Sequence, residues 1–232
     1  MSEKTQSRYR SALYGLFAWT IDRELYNGPN PFAVSSGGSS SRKPDEDTSW
    51  QEYKVEELNL LLSGLSFENH PDTFTHDGAL AWITVMALYS GARLEEIAGL
   101  RTADIQEEDG VPYFDLRNSV RRLKTRAARR RVPIHSKQIR LGVLQYVAHV
   151  REQGHEYLFP NLIAGDGEDV RRGKYVGKRF NAYRKRCGVT RDGLSFHSFR
   201  ASVATALQRA NVPETHAAQL LGHTIRTMSY GL

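Results

Sequence analysis

The chain has 232 residues, of which 40% are hydrophobic, so it can bury one good core and a small second unit, and its formal net charge is +6. No apolar run approaches the roughly 20 residues that cross a bilayer, and the first residues lack the order of a secretion signal, so we expect a cytoplasmic protein without a membrane partner. The single Cys187 excludes an internal disulfide, and without spaced His/Cys pairs the sequence predicts no metal site and no redox chemistry.

The first helix is predicted over Ser7–Leu25, where apolar residues recur at helical spacing. A lone amphipathic helix buries its apolar face poorly, so we interpret residues 1–34 as the tail helix of an N-terminal domain. Small, polar and charged residues follow, and they predict a flexible linker over residues 35–47. Residues 48–232 are then predicted to form the main domain.

The main domain is predicted to open with two helices, Val55–Leu62 and Gly78–Tyr89, the second of which is strongly apolar and ends at Ser90-Gly91. Helical periodicity resumes over Leu94–Leu100. Arg93 therefore lies at a junction between two helices, where its guanidinium can turn out of the core.

Residues 111–116 and 131–134 predict two strands joined by a basic turn that carries Lys124. Two further helices are predicted over Gln138–Arg151 and Lys174–Cys187. The predicted fold class is therefore mostly α (α+β), with helices around one small antiparallel sheet.

Two stretches, residues 117–131 and 171–186, hold sixteen of the thirty-two Lys and Arg residues and no acid, which leaves sixteen cations against twenty-six acids elsewhere. Solvated surface is the alternative for either stretch alone, but together they favour a polyanionic partner. Tyr175, Phe180 and Tyr183 could anchor the second stretch to the core while its cations face a phosphate backbone. The cations predicted to contact that backbone are Arg121, Arg122, Arg126, Arg129, Arg130, Arg171, Arg172, Lys174, Lys178 and Arg179.

The last part of the domain predicts a helix from about Ser195, on which His197 and Arg200 are neighbours at i, i+3 spacing. With Ser195 as N-cap, an anion at the first turn would meet backbone amides, an imidazole and a guanidinium together. A second helix ends at Gly222, which holds His223 at a fixed exit. Taken singly, a surface histidine, a salt-bridged arginine and a capping histidine are the alternatives.

Several motifs follow one another in a fixed order. They are Ser90-Gly91-Ala92-Arg93-Leu94-Glu95-Glu96-Ile97, Lys124 on its basic hairpin, His197-Ser198-Phe199-Arg200, Leu221-Gly222-His223 and a closing tyrosine. Each motif is weak, but the ordered set resembles the tyrosine recombinase (phage integrase) family over residues 48–232. The resemblance implies a DNA breaking-rejoining fold that needs no cofactor, preceded by the end of a DNA-clamping (core-binding) domain.

By that resemblance Arg93 and Arg200 bind the phosphate, Lys124 is the hairpin lysine, and His197 and His223 are the active-site histidines. Paired guanidiniums suit a phosphodiester because it gains negative charge in its five-coordinate transition state. A neutral imidazole such as His197 can accept the proton of an attacking tyrosine, and Lys124 can return a proton to the departing sugar oxygen.

The nucleophile departs from the family pattern, in which the tyrosine falls about two positions beyond Tyr230, at Leu232 or past it. Tyr230 is the one tyrosine after His223 and is our candidate; a packing aromatic is the alternative. We therefore expect the chain to be truncated at its C-terminus.

The resemblance implies a site-specific recombinase of a phage or other mobile element that exchanges strands of double-stranded DNA through a 3′-phosphotyrosyl intermediate, acting as a homo-oligomer in a tetrameric synapse. A type IB topoisomerase-like relaxing enzyme would share the pocket. A non-catalytic helix-turn-helix regulator is the alternative from another class, because residues 213–230 also scan as helix, Gly turn, helix.

Overall fold

The computed structural model describes residues 3–33, 51–65, 76–117, 129–162 and 172–223. The chain divides into two units, Met1–Thr48 and Ser49–Leu232. The helices of the described ranges are α1 (Glu3–Asp22), α2 (Val55–Ser63), α3 (His76–Ser90), α4 (Leu94–Ala98), α5 (Ser136–Arg140), α6 (Val143–Glu152), α7 (Lys174–Arg186), α8 (Ser198–Arg209) and α9 (Glu214–Leu221). The strands are β1 (Ile105–Glu108), β2 (Val111–Asp115) and β3 (Arg131–Pro133). Within these ranges, none of the helices combines the length and the apolarity that a bilayer span requires.

In the first unit, α1 is followed by a segment that folds back on it. The Phe17 ring meets the rings of Tyr26 and Phe32 at centroid distances of 5.3 and 5.5 Å. The Asn30 amide donates a hydrogen bond of 3.0 Å to the carbonyl oxygen of Tyr14. These contacts cover only part of the helix, because Leu16 and other apolar residues of α1 stay exposed.

The core of the second unit forms around α3, which is apolar on nearly every side. Residues 79–87 of this helix are all buried, and Trp82 is 1% exposed. Its neighbours in the core include Phe159, Phe180 and Phe199, which come from widely separated parts of the chain. A helix that is apolar all round belongs inside a protein, and α3 is surrounded accordingly.

The sheet is antiparallel, with the strand order β1-β2-β3. Ile105, Phe114 and Val132 are paired across the three strands and all three are buried, so one face of the sheet joins the core. The mostly helical fold class with a small antiparallel sheet is therefore confirmed.

Several local predictions need correction. We did not predict β1, because its sequence Ile-Gln-Glu-Glu buries only its first residue and shows no alternation. The single helix predicted over residues 138–151 is two helices, α5 and α6, because Gly142 between them has a left-handed φ of 94°. Tyr175, predicted as an anchor of α7, is 52% exposed, whereas Phe180 and Tyr183 are buried as predicted.

Gly91 ends α3 with a left-handed φ of 62° and lies against the last two helices. A Cβ atom built on Gly91 would lie 2.6 Å from Leu221 Cδ2 in α9 and 3.2 Å from Val203 Cβ in α8. Glycine is needed here both for its backbone conformation and for the close approach of three helices.

Replacement of Gly91 by Ala should lower the free energy of unfolding by about 2–4 kcal/mol, because left-handed strain and overpacking add. Urea unfolding would measure the loss. Gly154→Ala is the matched control: Gly154 has a φ of 75° and no heavy atom within 4 Å of the added carbon, so it carries the strain alone. Equal losses for both variants would contradict the packing role of Gly91.

Candidate active site

Arg93 stands immediately before α4 and is held by a carboxylate of that helix. Its backbone N–H donates to Glu96 Oε2 at 2.8 Å and its Nη1 donates to Glu96 Oε1 at 2.9 Å. Its Nη2 lies 3.5 Å from the carbonyl oxygen of Gly222, the residue before His223. The side chain is 36% exposed, so these bonds fix the guanidinium while part of it remains accessible to a ligand.

Glu96 is a buried carboxylate that also holds Arg130. Arg130 donates from Nη2 to Glu96 Oε2 at 2.9 Å and from Nη1 to Oε1 at 3.2 Å, while its Nε donates to the Leu220 carbonyl oxygen at 2.7 Å. Burial raises the pKa of the Glu96 carboxyl, but the hydrogen bonds and charge of Arg130, followed by those of Arg93, outweigh it and lower that pKa overall. Glu96 is therefore ionised and joins two guanidiniums.

Arg200, in the first turn of α8, is 5% exposed. Its Nη1 donates to the carbonyl oxygen of Gly91 at 2.9 Å, whereas its Nη2 is buried without a hydrogen-bond partner. Burial lowers the pKa of this guanidinium to about 10, and the charge of Arg93 contributes to the shift. It stays protonated at neutral pH, so the site contains a buried cation with an unsatisfied N–H, which an anionic oxygen can satisfy.

His197 precedes α8 in a tight turn. Its backbone N–H donates to Ser195 Oγ at 3.2 Å, and the Ser195 N–H donates to Ser198 Oγ at 3.1 Å. The helix thus begins at Ser198, three residues later than predicted, because Ser195 caps this turn instead of the helix. Burial lowers the pKa of the His197 imidazole, and the charges of Arg200 and Arg93 lower it further, which favours the neutral form.

His223 directly follows Gly222, the glycine that ends α9, as predicted. Gly222 has a left-handed φ of 70°, and the His223 N–H donates to the Ala218 carbonyl oxygen at 2.9 Å. Burial lowers the pKa of the His223 imidazole, with further lowering by Arg200 and then Arg93. The hydrogen bond from Arg93 Nη2 to the Gly222 carbonyl oxygen holds the residue before His223 close to Arg93.

These side chains converge although they are far apart in sequence. A pocket of about 210 Å³ is lined by Arg93, His197 and Arg200, together with Asn181 of α7 and Ser195. His223 does not line this pocket, but it directly follows Gly222, whose carbonyl oxygen accepts a hydrogen bond from Arg93 Nη2. A cavity lined by two guanidiniums and an imidazole is suited to an anion that carries acceptor oxygens. Among the described residues, no group of three His, Cys, Asp or Glu side chains could hold a metal ion.

Two site predictions, Lys124 and Tyr230, lie outside the described residues. Lys124 belongs to the segment that joins β2 to β3 in sequence. The strands are tied at that end, where the Leu116 N–H donates to the Arg130 carbonyl oxygen at 2.8 Å and Arg129 Nε donates to the Arg117 carbonyl oxygen at 3.2 Å.

The cations predicted for backbone contact occupy different environments. Arg121, Arg122, Arg126 and Arg171 lie outside the described residues. Arg129, Lys174, Lys178 and Arg179 are exposed. Arg172 is partly buried, and its guanidinium lies 3.8 Å from the centre of the Tyr157 ring.

Arg130 requires a correction. It is 7% exposed and its guanidinium is engaged by Glu96 and Leu220, so its place is inside the site and not on the basic surface. The sequence offered no signal for this, because Arg130 stands between two other arginines. Asn181 and Glu96 were also missed as site residues.

Replacement of Glu96 by Gln should lower the free energy of unfolding at neutral pH by about 3–5 kcal/mol, because it leaves the buried Arg130 without its counter-ion. Because the pKa of Glu96 is lower in the folded protein than its ordinary value of 4.5, ionisation of this carboxyl stabilises the fold. The contribution is complete above pH 4.5 and is lost as the pH falls through the lowered pKa of the folded state. The difference between wild type and variant should therefore shrink between about pH 5 and about pH 3 in urea titrations.

Glu52→Gln supplies the control, since Glu52 pairs with Arg209, whose side chain is 72% exposed. Such a surface pair contributes about 1 kcal/mol or less. A loss at Glu96 no larger than the loss at Glu52, or one that does not depend on pH, would rule out the central role of this carboxylate.

Comparison with known proteins gives a family and a set of solved folds. Residues 65–229 match the sequence profile of the Phage integrase family. No curated protein sequence matches this chain.

Among solved structures, the Tn1549 transposon integrase in complex with transposon right end DNA is 18% identical, with a TM-score of 0.64, and the match covers 97% of this chain and 73% of that one. A lambda integrase dimer bound to a COC′ core site is 21% identical, with a TM-score of 0.57 and coverages of 94% and 69%. A lambda integrase tetramer bound to a Holliday junction is 18% identical, with a TM-score of 0.56 and coverages of 94% and 58%. At these identities the similarity establishes the shared fold.

Proposed function

Since this chain belongs to the phage integrase family, we propose that it is a tyrosine-type site-specific recombinase that cleaves and rejoins double-stranded DNA through a 3′-phosphotyrosyl intermediate. The observation that carries this proposal is the pocket in which the buried, unpaired Nη2 of Arg200 accompanies Arg93 and His197. A phosphodiester of the DNA strand supplies the acceptor oxygens that this pocket lacks.

The two arginines bind the nonbridging oxygens of the scissile phosphate. Arg200 is fixed by the Gly91 carbonyl and Arg93 by Glu96, so neither guanidinium has to be reorganised when the phosphate arrives. Preorganised donors stabilise most strongly the charge that develops in the five-coordinate transition state. His223 donates to the same phosphate.

The bond changes balance as follows. The tyrosine hydroxyl, which we assign to Tyr230, attacks phosphorus while its proton passes to the neutral imidazole of His197. The bond from phosphorus to the 5′ oxygen breaks, and that oxygen takes a proton from Lys124. Rejoining reverses these steps with the 5′ hydroxyl of the strand being joined, so the bond energy is kept in the phosphotyrosine and no cofactor is needed.

The exposed cations of α7 hold the flanking DNA. Lys174 and Lys178 are one turn apart on this helix and both are exposed, and Arg179 is exposed beside them. Such contacts to phosphates position the duplex without reading its sequence. We further propose that copies of the chain assemble on paired DNA sites in a tetrameric synapse, in the cytoplasm, and that the chain serves a phage or other mobile element.

Replacement of Arg200 by Lys should slow formation of the covalent protein–DNA adduct by about 10²–10³-fold, because an ammonium cannot reproduce the paired hydrogen bonds of a guanidinium. The substrate is a nicked suicide duplex whose sequence is selected from a random pool by binding to the protein. Adduct is counted on denaturing gels, and peptide mapping of the adduct identifies the attacking residue.

Arg209→Lys is the matched control, since Arg209 lies on the same helix with an exposed side chain, and its adduct rate should stay at the wild-type level. An adduct rate unchanged by Arg200→Lys would exclude the proposed pocket. Adduct formation by Tyr230→Phe would reject Tyr230 as nucleophile. Relaxation of supercoiled plasmid without recombinant products would favour the topoisomerase-like alternative.

The double variant Lys174→Gln/Lys178→Gln should bind the selected duplex with a weaker salt dependence, its slope of log affinity against log salt decreasing by about 2, because two phosphate contacts are removed. Fluorescence anisotropy over a range of NaCl concentrations measures the slope. The exposed Lys54 and Lys137 lie outside α7, and their double replacement by Gln should leave the slope unchanged. Equal slopes for the two double variants would show that α7 does not contact the DNA backbone.

A further inference from the structure

A neutral side chain shares the candidate pocket with the arginines and has no role in the chemistry given above. Asn181 lies in the second half of α7 and lines the pocket together with Gly177, one turn earlier on the same face of the helix. Asn181 as a whole is an exposed residue. A role for Asn181 in phosphate binding rests on the proposed function of this pocket.

The orientation of the Asn181 amide is fixed by Arg184. Arg184 is 8% exposed and is anchored by a 2.8 Å hydrogen bond from Nη1 to the Val189 carbonyl oxygen. Its Nε donates to Asn181 Oδ1 at 3.2 Å. Because a guanidinium can only donate, Oδ1 must face Arg184, and the Nδ2 group faces away from it.

The helix that carries Asn181 is docked on the helix that follows Arg93. The Gly173 N–H, just before α7, donates to Glu95 Oε2 of α4 at 3.1 Å. A Cβ atom on Gly177 would be in ordinary contact with Leu94 Cδ2, at 3.5 Å. Gly173, Gly177 and Asn181 recur every four residues, so they lie on the one face of α7 that meets α4.

We infer that Asn181 is a further phosphate-binding residue, which donates from Nδ2 to a nonbridging oxygen of the scissile phosphate alongside Arg93 and Arg200. Within the described residues no hydrogen bond occupies its Nδ2 group, which leaves both N–H bonds for the ligand. A neutral donor adds a hydrogen bond without adding to the repulsion among the cations that surround the pocket. Asn181 should therefore affect binding through one of the two nonbridging oxygens and not through the other.

The variant Asn181→Asp tests this inference with little change of shape, because a carboxylate oxygen can still accept from Arg184 while the donating NH₂ becomes an acceptor. Affinity for the selected duplex and the single-turnover adduct rate should each fall by about tenfold or more, since a charge-assisted hydrogen bond becomes a repulsion. Asn181→Ala should show a smaller loss in the same direction. Asn59→Asp makes the same change on the exposed surface of α2 and should have no effect.

The deciding experiment pairs these variants with duplexes that carry a methylphosphonate of defined stereochemistry at the scissile position, which replaces one nonbridging oxygen by a methyl group. With one isomer the loss caused by Asn181→Ala should vanish, and with the other isomer it should persist. An equal loss with both isomers would assign Asn181 to support of Arg184 and overturn the inference. No loss with the natural phosphate would overturn it as well, because Asn181 would then have no role in binding.

Failure of the proposed function has a different signature. Suppose that wild type binds duplexes with the natural phosphate and with either methylphosphonate equally tightly, and that Arg200→Lys does the same. The pocket then does not bind the scissile phosphate at all. If wild type and Arg200→Lys do distinguish them while both Asn181 variants behave as wild type, the proposed function stands and the assignment of Asn181 falls. Thermal unfolding of each variant, at a midpoint close to that of wild type, shows that the fold is retained.

Discussion

The buried carboxylate of Glu96 is the interaction on which the site depends. It accepts hydrogen bonds from Arg93 at the start of α4 and from Arg130 at the start of β3, so one acidic side chain joins a helix to the sheet. A buried ion pair adds little net stability compared with apolar packing, but removing one partner is expensive. Its contribution here is geometric, since it fixes the position of the partly exposed Arg93 guanidinium.

The site concentrates positive charge before any substrate is present. Burial lowers the pKa of His223, and the charges of Arg200, Arg93 and Arg130 lower it further. Burial and the charge of Arg93 lower the pKa of Arg200, and the charge of Glu96 opposes them in part. A phosphate bound here would relieve this repulsion and satisfy the buried donor of Arg200 at once.

The sequence predicted the helices around the site and three of the residues that line the pocket, because each lies at a local signal: Arg93 after a glycine stop, and His197 and Arg200 one turn apart. It also placed His223 directly after the glycine that ends α9. What it could not predict depends on pairings across the chain. Arg130 is buried because the register of β2 with β3 places it opposite Leu116, and no feature of a run of three arginines reveals that.

Asn181 was missed for the same reason, as its position depends on how α7 packs against α4. Lys124 and Tyr230 remain predictions that rest on the order of the motifs. The composition of the two basic stretches predicted a polyanionic partner, yet it could not separate an exposed Lys178 from a buried Arg130, because burial is decided by tertiary contacts and not by charge.

The hydrogen bond from Arg130 to the Leu220 carbonyl joins the residue before β3 to the last turn of α9, two places that are far apart in the sequence. A movement of either place away from the other would have to break this bond, so the positions of β3 and α9 are coupled.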